Sequence, residues 1–277
     1  MTDRRFHRAN ARVGHAGLIE AHPGLRLTEG TTRRVGVPVA DLCAAPDGGR
    51  DKQMLFGQAF TVLEDHEGWA FGFDPTDGYV GYLPSPSLSE PVTATHRVTA
   101  RSSHLYTRAD IKSADLMALS YGSLLAVTGE TGETGAFVEL ATGGFVPRQH
   151  VAPLGWVAAD PVAQAEAFLG TPYLWGGNNG AGIDCSGLVQ QALLAAGVPC
   201  PRDSDLQSVA WPEITGPAQR GDLVFWKGHV AMMVSDTDMI HANAHHMAVA
   251  VEPFAEARAR IQAKEFGDVL RITRPAR

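Results

Sequence analysis

Cysteine is scarce in this chain of 277 residues, which carries only Cys43, Cys185 and Cys200. So sparse and odd a set is not a disulfide framework, and it suits a reducing compartment. Long apolar runs are missing too. No stretch approaches the roughly 18 apolar residues of a membrane span, and charge interrupts residues 1–20, where a secretory signal needs an apolar run of about 7–15. The expectation is a cytoplasmic protein without a membrane partner. Positive charge is also in deficit: a formal net charge of -7 and a pI near 5.9 leave no basic footprint for phosphate backbones, which argues against nucleic acid. Arg4, Arg5, His7, Arg8 and Arg12 gather early, and scattered cations of this kind read as a solvated surface. The paired C-x-x-C spacing is absent, and no metal or other cofactor is expected. None of these features fixes an oligomeric state.

What is present is ordinary globular composition, 44% hydrophobic and 19% charged, in a chain longer than one usual domain of about 100–200 residues. A weak internal repeat divides its first half. In one copy, residues 34–91, Leu55-Phe56-Gly57 leads into Ala59-Phe60-Thr61-Val62-Leu63, then Trp69-Ala70-Phe71-Gly72-Phe73, then Gly81-Tyr82-Leu83-Pro84. In the other, residues 95–154, Ser120-Tyr121-Gly122 is followed by Leu124-Leu125-Ala126-Val127, Ala136-Phe137-Val138-Glu139-Leu140 and Gly144-Phe145-Val146-Pro147. Short apolar strands between Gly and Asp turns at intervals of about 8–12 residues predict two small antiparallel β-barrels. From residue 156 the texture changes. Asp160-Pro161 before an Ala-rich run stopped by Gly170 predicts a helix, and residues 185–196, ending at Gly197, predict another. Strand-like runs then follow at residues 222–226, 230–234, 239–242, 249–251 and 269–272. The fold class expected is thus multidomain: an extension (1–33), two barrels (34–92 and 93–155) and an α+β domain with a mainly antiparallel sheet (156–277).

Chemistry concentrates at Gly180-Ala181-Gly182-Ile183-Asp184-Cys185-Ser186-Gly187. A thiol in the first turn of a helix faces unpaired N–H groups and the positive end of the macrodipole, which favour thiolate and can hold an oxyanion. A lone intracellular Cys is ordinarily a small buried hydrophobe, and Cys43 and Cys200 are read that way. A nucleophile also needs a base. His229 opens one predicted strand and His241 lies on the next, so a hairpin sets the imidazoles on adjacent strands where one can orient the other.

Together with Thr171-Pro172-Tyr173-Leu174-Trp175-Gly176-Gly177, Pro201-Arg202-Asp203-Ser204 and Gly221-Asp222-Leu223-Val224-Phe225, these residues resemble, in order and spacing, the NlpC-type cell-wall peptidases. The repeat ahead of them resembles the bacterial SH3-like domains often attached to such enzymes. The resemblance implies a circularly permuted papain-like fold with Cys185, His229 and His241 as the triad. Enzymes of this layout are γ-D-glutamyl-L-diamino acid endopeptidases that release L-Ala-γ-D-Glu from murein peptides with a free N-terminal L-Ala, so a murein-derived peptide is the implied partner. Asp184, with Ser186 beside it, is the implied anchor for the ammonium. Asp184 also suits a helix cap. Tyr79 matches an amine-contacting tyrosine; opposite Thr142 in the repeat it exceeds what a barrel needs, whereas Tyr82, opposite Phe145, reads as core. Gln58 stands where the family often has Glu. Arg202 suits either the α-carboxylate of D-Glu or a structural Arg–Asp pair. Asp203 and Ser204 are implied along the groove, and Trp175 as its wall.

Three rivals compete with this reading. Tandem SH3-like units fit a wall-binding scaffold with a degenerate catalytic domain, although all three triad positions are filled. A thiol amidase or acyltransferase keeps the chemistry and changes the substrate. A Cys–His–His zinc site has the ligand types without the spacing. Recycling of imported wall peptides in the cytoplasm is the expected role.

Overall fold

The structure is a computed structural model that describes residues 3–18, 24–131, 135–264 and 266–276. It divides into two compact units, Met1–Leu154 and Gly155–Arg277.

In the first unit the two copies of the repeat build separate cores. Residues of the first copy form a seven-stranded antiparallel sheet in the order Arg50–Leu55, Val39–Cys43, Val80–Pro84, Trp69–Phe73, Ala59–His66, Thr31–Val35, Leu88–Ser89. It encloses Val35, Ala40, Leu42, Met54, Phe60, Ala70, Tyr79 and Leu83. The second copy forms a five-stranded and a three-stranded sheet around Val98, Leu105, Leu119, Leu125, Val138, Leu140 and Val146, with Phe56 borrowed from the first copy. Both copies end alike: strand Val80–Pro84, the 3₁₀ turn Ser85–Ser87 and Leu88–Ser89 in one, Phe145–Pro147, Arg148–His150 and Val151–Pro153 in the other. The two prolines carry nearly the same φ and ψ, -56° and 125° at Pro84 and -55° and 125° at Pro147.

Two expectations are corrected here. The early basic residues are not merely a solvated surface. Arg4 pairs with Asp51 at 2.8 Å, Arg12 with Glu64 at 2.8 Å, and the Arg8 guanidinium lies 4.0 Å over the Phe73 ring. They clamp a segment whose Val13, fully buried, packs with Leu63, Phe71, Phe73 and Val80. The two tyrosines also exchange places: Tyr79 is the core ring, 3% exposed, while Tyr82 is only partly buried. A repeat aligned by sequence cannot tell which face of a twisted strand end each ring takes. Finally, Gln58 is used locally, its Oε1 accepting the Leu55 N–H at 2.8 Å and closing the turn at Gly57.

The second unit carries helices α1 (Pro161–Glu166), α2 (Cys185–Ala195) and α3 (Ser204–Gln207), strands β1 (Leu223–Trp226), β2 (His229–Met233), β3 (Asp238–Asn243) and β4 (Ala248–Pro253), helix α4 (Phe254–Lys264) and strand β5 (Arg271–Thr273). The five strands make one antiparallel sheet in the order β4-β3-β2-β1-β5. Asp160 caps α1 by accepting the Val162 N–H at 2.9 Å, as its position before Pro161 predicts. Residues 227–228 turn β1 into β2 with Gly228 at φ +77°, which starts β2 at His229. Helix α4 was not anticipated, although Ala257 and Ile261, both fully buried, have the one-turn spacing of a core-facing stripe. Among the described residues no helix is long and apolar enough to cross a membrane.

The first core encloses an ion triplet. Lys52, 2% exposed, lies 2.7 Å from both Asp74 and Asp77. Replacing it, as in Lys52→Met, strands two carboxylates and should cost about 3–5 kcal/mol. Urea unfolding measures this, and a loss under about 1 kcal/mol would contradict the buried triplet.

Candidate active site

The site is built from the Gly-rich loop upward. A Cβ on Gly187 would sit 2.6 Å from the Gly177 carbonyl oxygen, and one on Gly177 would sit 2.6 Å from that of Gly182. Only glycine lets the loop lie this close to the first turn of α2. Asp184 locks the two together. Its Oδ1 accepts the Gly187 N–H at 2.7 Å and its Oδ2 the Gly176 N–H at 2.8 Å, so one carboxylate caps the helix and ties down the loop.

Arg202 completes this lock. Its two terminal nitrogens donate to the two oxygens of Asp184, each at 2.9 Å, and also to Ser186 Oγ at 2.8 Å and the Gly177 carbonyl at 3.1 Å. Of the two readings for Arg202, the structure shows the Arg–Asp pair, with the guanidinium buried. Burial lowers the Arg202 pKa, but the Asp184 carboxylate more than compensates and the net shift is upward, so the cation is permanent. Asp203 and Ser204 start α3, whose Gln207 donates to the Ser186 carbonyl at 3.0 Å. Trp175 is 69% exposed in the loop. Tyr79 and Gln58 belong to the first unit.

Cys185 is the first residue of α2, and its sulfur is reached by the backbone N–H groups of Val230 and Ser186. Burial nevertheless pushes the thiol up to about 12, and the Asp184 carboxylate adds to the rise. The helix terminus therefore does not by itself hold a thiolate: its N–H groups pull in the expected direction, but dehydration outweighs them. Cys43 and Cys200 are buried thiols, as expected.

Helix α2 packs on β2 and β3, which carry the two histidines. His229 Nε2 lies 2.8 Å from His241 Nδ1. His229 stacks on Phe266 with centroids 5.4 Å apart and planes 19° from parallel, and Trp226 sits beside it. Burial drives the His229 pKa down to about 3, with the His241 and Arg260 charges adding to the fall, so the resting imidazole is neutral. On its far side His241 Nε2 meets Glu252 Oε1 at 2.7 Å, and Glu252 is held by Arg260. Sequence reasoning missed this last pair because it depends on β4 and on the unanticipated α4. It also gave no role to Tyr173, whose phenol feels the charges of Cys185 and Asp184 after burial has already raised its pKa; the Tyr-x-Trp-Gly-Gly run was the available signal. Among the described residues the one His, Cys, Asp and Glu grouping close enough to share an ion is His241, His246 and Glu252. It contains neither Cys185 nor His229, so it is not the Cys–His–His zinc set considered above.

Residues 170–264 match the NlpC/P60 family, and residues 42–88 match the bacterial dipeptidyl-peptidase SH3 domain. The chain is 30% identical over 236 residues to a γ-D-glutamyl-L-lysine dipeptidyl-peptidase of Bacillus cereus, covering 73% of this chain and 70% of that one. The chain belongs to the NlpC/P60 family. It is an SH3-like domain followed by an NlpC/P60 domain, and a cysteine peptidase. It is also 30% identical to a dipeptidyl-peptidase 6 of Lysinibacillus sphaericus over 74% of this chain and 85% of that one. The fold is shared with an NlpC/P60 family protein of Bacillus cereus whose crystal structure superposes with a TM-score of 0.71 at 22% identity, covering 88% of this chain and 99% of that one.

Two outcomes follow from this geometry in the NlpC/P60 domain. Arg202→Met leaves Asp184 charged and buried without its partner, and should cost about 3–5 kcal/mol in urea unfolding. The second concerns pH. The unfolded His229 takes a proton near pH ~6.5 and the folded one only near 3, so between these values the unfolded chain binds more protons. Stability should fall as pH drops through that window. His229→Phe should make the fall shallower by about one proton, and an equal slope in both proteins would count against a buried neutral His229.

Proposed function

We propose that Cys185, His229 and His241 are nucleophile, base and orienting residue of an endopeptidase that cuts the γ-D-Glu–diamino acid bond of murein peptides bearing a free N-terminal L-Ala. The observation that carries this reading is the hydrogen-bonded pair of imidazoles on β2 and β3, the two strands against which α2, with the buried Cys185 as its first residue, packs. The name of the Bacillus cereus relative supplies the substrate class. In the step we infer, the Cys185 sulfur attacks the γ-carbonyl of D-Glu while its proton passes to His229. First-turn N–H groups of α2 hold the oxyanion. His229 then gives the proton to the departing amine of the diamino acid, and water, activated by the same imidazole, releases L-Ala-γ-D-Glu from the acyl-enzyme.

The free amine is the recognition element in this reading, with Asp184 and Ser186 beside the nucleophile as its candidates; Arg202 fixes the carboxylate's orientation. An amine requirement suits peptides already released from the sugar strand, since L-Ala is acylated while attached to it. Recycling in the cytoplasm is therefore the setting we propose, and cell fractionation tests it. We infer the architecture to be two SH3-like barrels ahead of a permuted papain-like domain; the shared strand, 3₁₀ turn and strand at the end of each copy supports two barrels.

Mass analysis of products from L-Ala-γ-D-Glu-diaminopimelate, its lysine counterpart and their N-acetylated forms tests the proposal. Cleavage should occur only with the free amine, and Cys185→Ala should lower the rate about 10⁴-fold or more. Full activity in that variant would refute the nucleophile, and equal rates on the acetylated peptides would refute the amine requirement.

A further inference from the structure

The line of hydrogen bonds continues beyond the two histidines. Glu252 lies on β4, two residues beyond Ala250, which pairs directly with His241, so the carboxylate and the ring share one face as diagonal neighbours. Its Oε1 is 2.7 Å from His241 Nε2. Arg260, on the α4 face that packs against β4, donates to both oxygens of Glu252 at 2.5 and 2.7 Å. We propose that Glu252, braced by Arg260, is a positioning residue that fixes the tautomer of His241 and, through it, leaves His229 Nδ1 bare to receive the thiol proton. This rests on the Cys185–His229–His241 reading above.

The argument is one of donors and acceptors. Burial pushes the Glu252 carboxyl up, but hydrogen bonds from Arg260 and His241 outweigh it and hold the group far below the usual carboxylate range, so it can only accept. His241 Nε2 must then carry the hydrogen. Burial keeps His241 neutral, which leaves its Nδ1 bare, and a bare Nδ1 at 2.8 Å requires the hydrogen of His229 to sit on Nε2. His229 Nδ1 is therefore the free lone pair. The groups facing the rings agree with this assignment. Glu252 is the carboxylate among those felt by both, against Arg260 and, for His241, His246; Trp226 and Phe266 cover His229 with apolar surface.

When the Cys185 sulfur bonds to the substrate carbonyl carbon and its proton moves to His229 Nδ1, the positive charge formed is relayed toward a carboxylate already in place. Without Glu252 nothing compels the His241 hydrogen onto Nε2. On Nδ1 it would meet the His229 Nε2–H head-on, and relieving that clash puts the His229 hydrogen on the nitrogen needed as base.

Nitrogen-15 NMR of the histidine-labelled wild-type enzyme reads the tautomers directly. Both rings should carry hydrogen on Nε2, and an Nδ1–H tautomer of His229 overturns the proposal without any variant having to fold. Glu252→Gln, of nearly equal size, should mix the tautomers and lower kcat about 10–100-fold at little change in KM, with Glu252→Asp recovering part of the loss. A folded Glu252→Gln enzyme with wild-type kcat would equally overturn it. An active Cys185→Ala enzyme would instead overturn the catalytic reading and leave the tautomer result standing.

Discussion

The Asp184–Arg202 fork is the interaction on which the rest of the site depends. An aspartate before a helix is usually half-solvated, and a cap of that kind contributes about 1 kcal/mol. Here the Asp184 side chain is 10% exposed, caps α2, ties down the Gly-rich loop and meets a guanidinium that is itself buried. Charges so placed are costly alone and tolerable only together. Loop, helix start and α3 are thus held as one piece, and the sulfur of Cys185 is positioned by groups that do no chemistry themselves.

Burial also decides the resting state of Cys185, the proposed nucleophile. Thiol and imidazole are both pushed toward their neutral forms, so the local dipole of α2 is better regarded as a ready oxyanion site than as a source of thiolate. Charge separation is then confined to the moment of attack, when dehydration strengthens every fixed dipole around it. The chain His229–His241–Glu252–Arg260 suits such a site because it ends in a group that is already ionised and needs no rearrangement.

In the first unit, repetition and individuality separate cleanly. Each copy closes an apolar core with the same terminal turn, and the first is also clamped by an N-terminal segment through Arg4 and Arg12 and pinned inside by the Lys52 triplet. Tyr79 belongs to that core, with the Lys52 ammonium 5.5 Å from its ring.

The sequence by itself determined which residue types could do chemistry and on which elements they would lie. Cys185 at a helix start, His229 and His241 on successive strands, and the Asp160 cap were legible because each depends on neighbours a few positions away. So was the repeat, whose turn residues recur in order. Tertiary structure alone decided what required distant partners. Arg202 finds Asp184 across the Gly-rich loop, Glu252 finds His241 across a strand pair, and Arg260 joins them only because α4 folds back on β4. The choice between Tyr79 and Tyr82 as core ring, and the balance by which burial overrules the helix dipole at Cys185, belong to the same class. Residue pattern records short-range geometry, whereas desolvation and long-range pairing exist only once the chain has closed on itself.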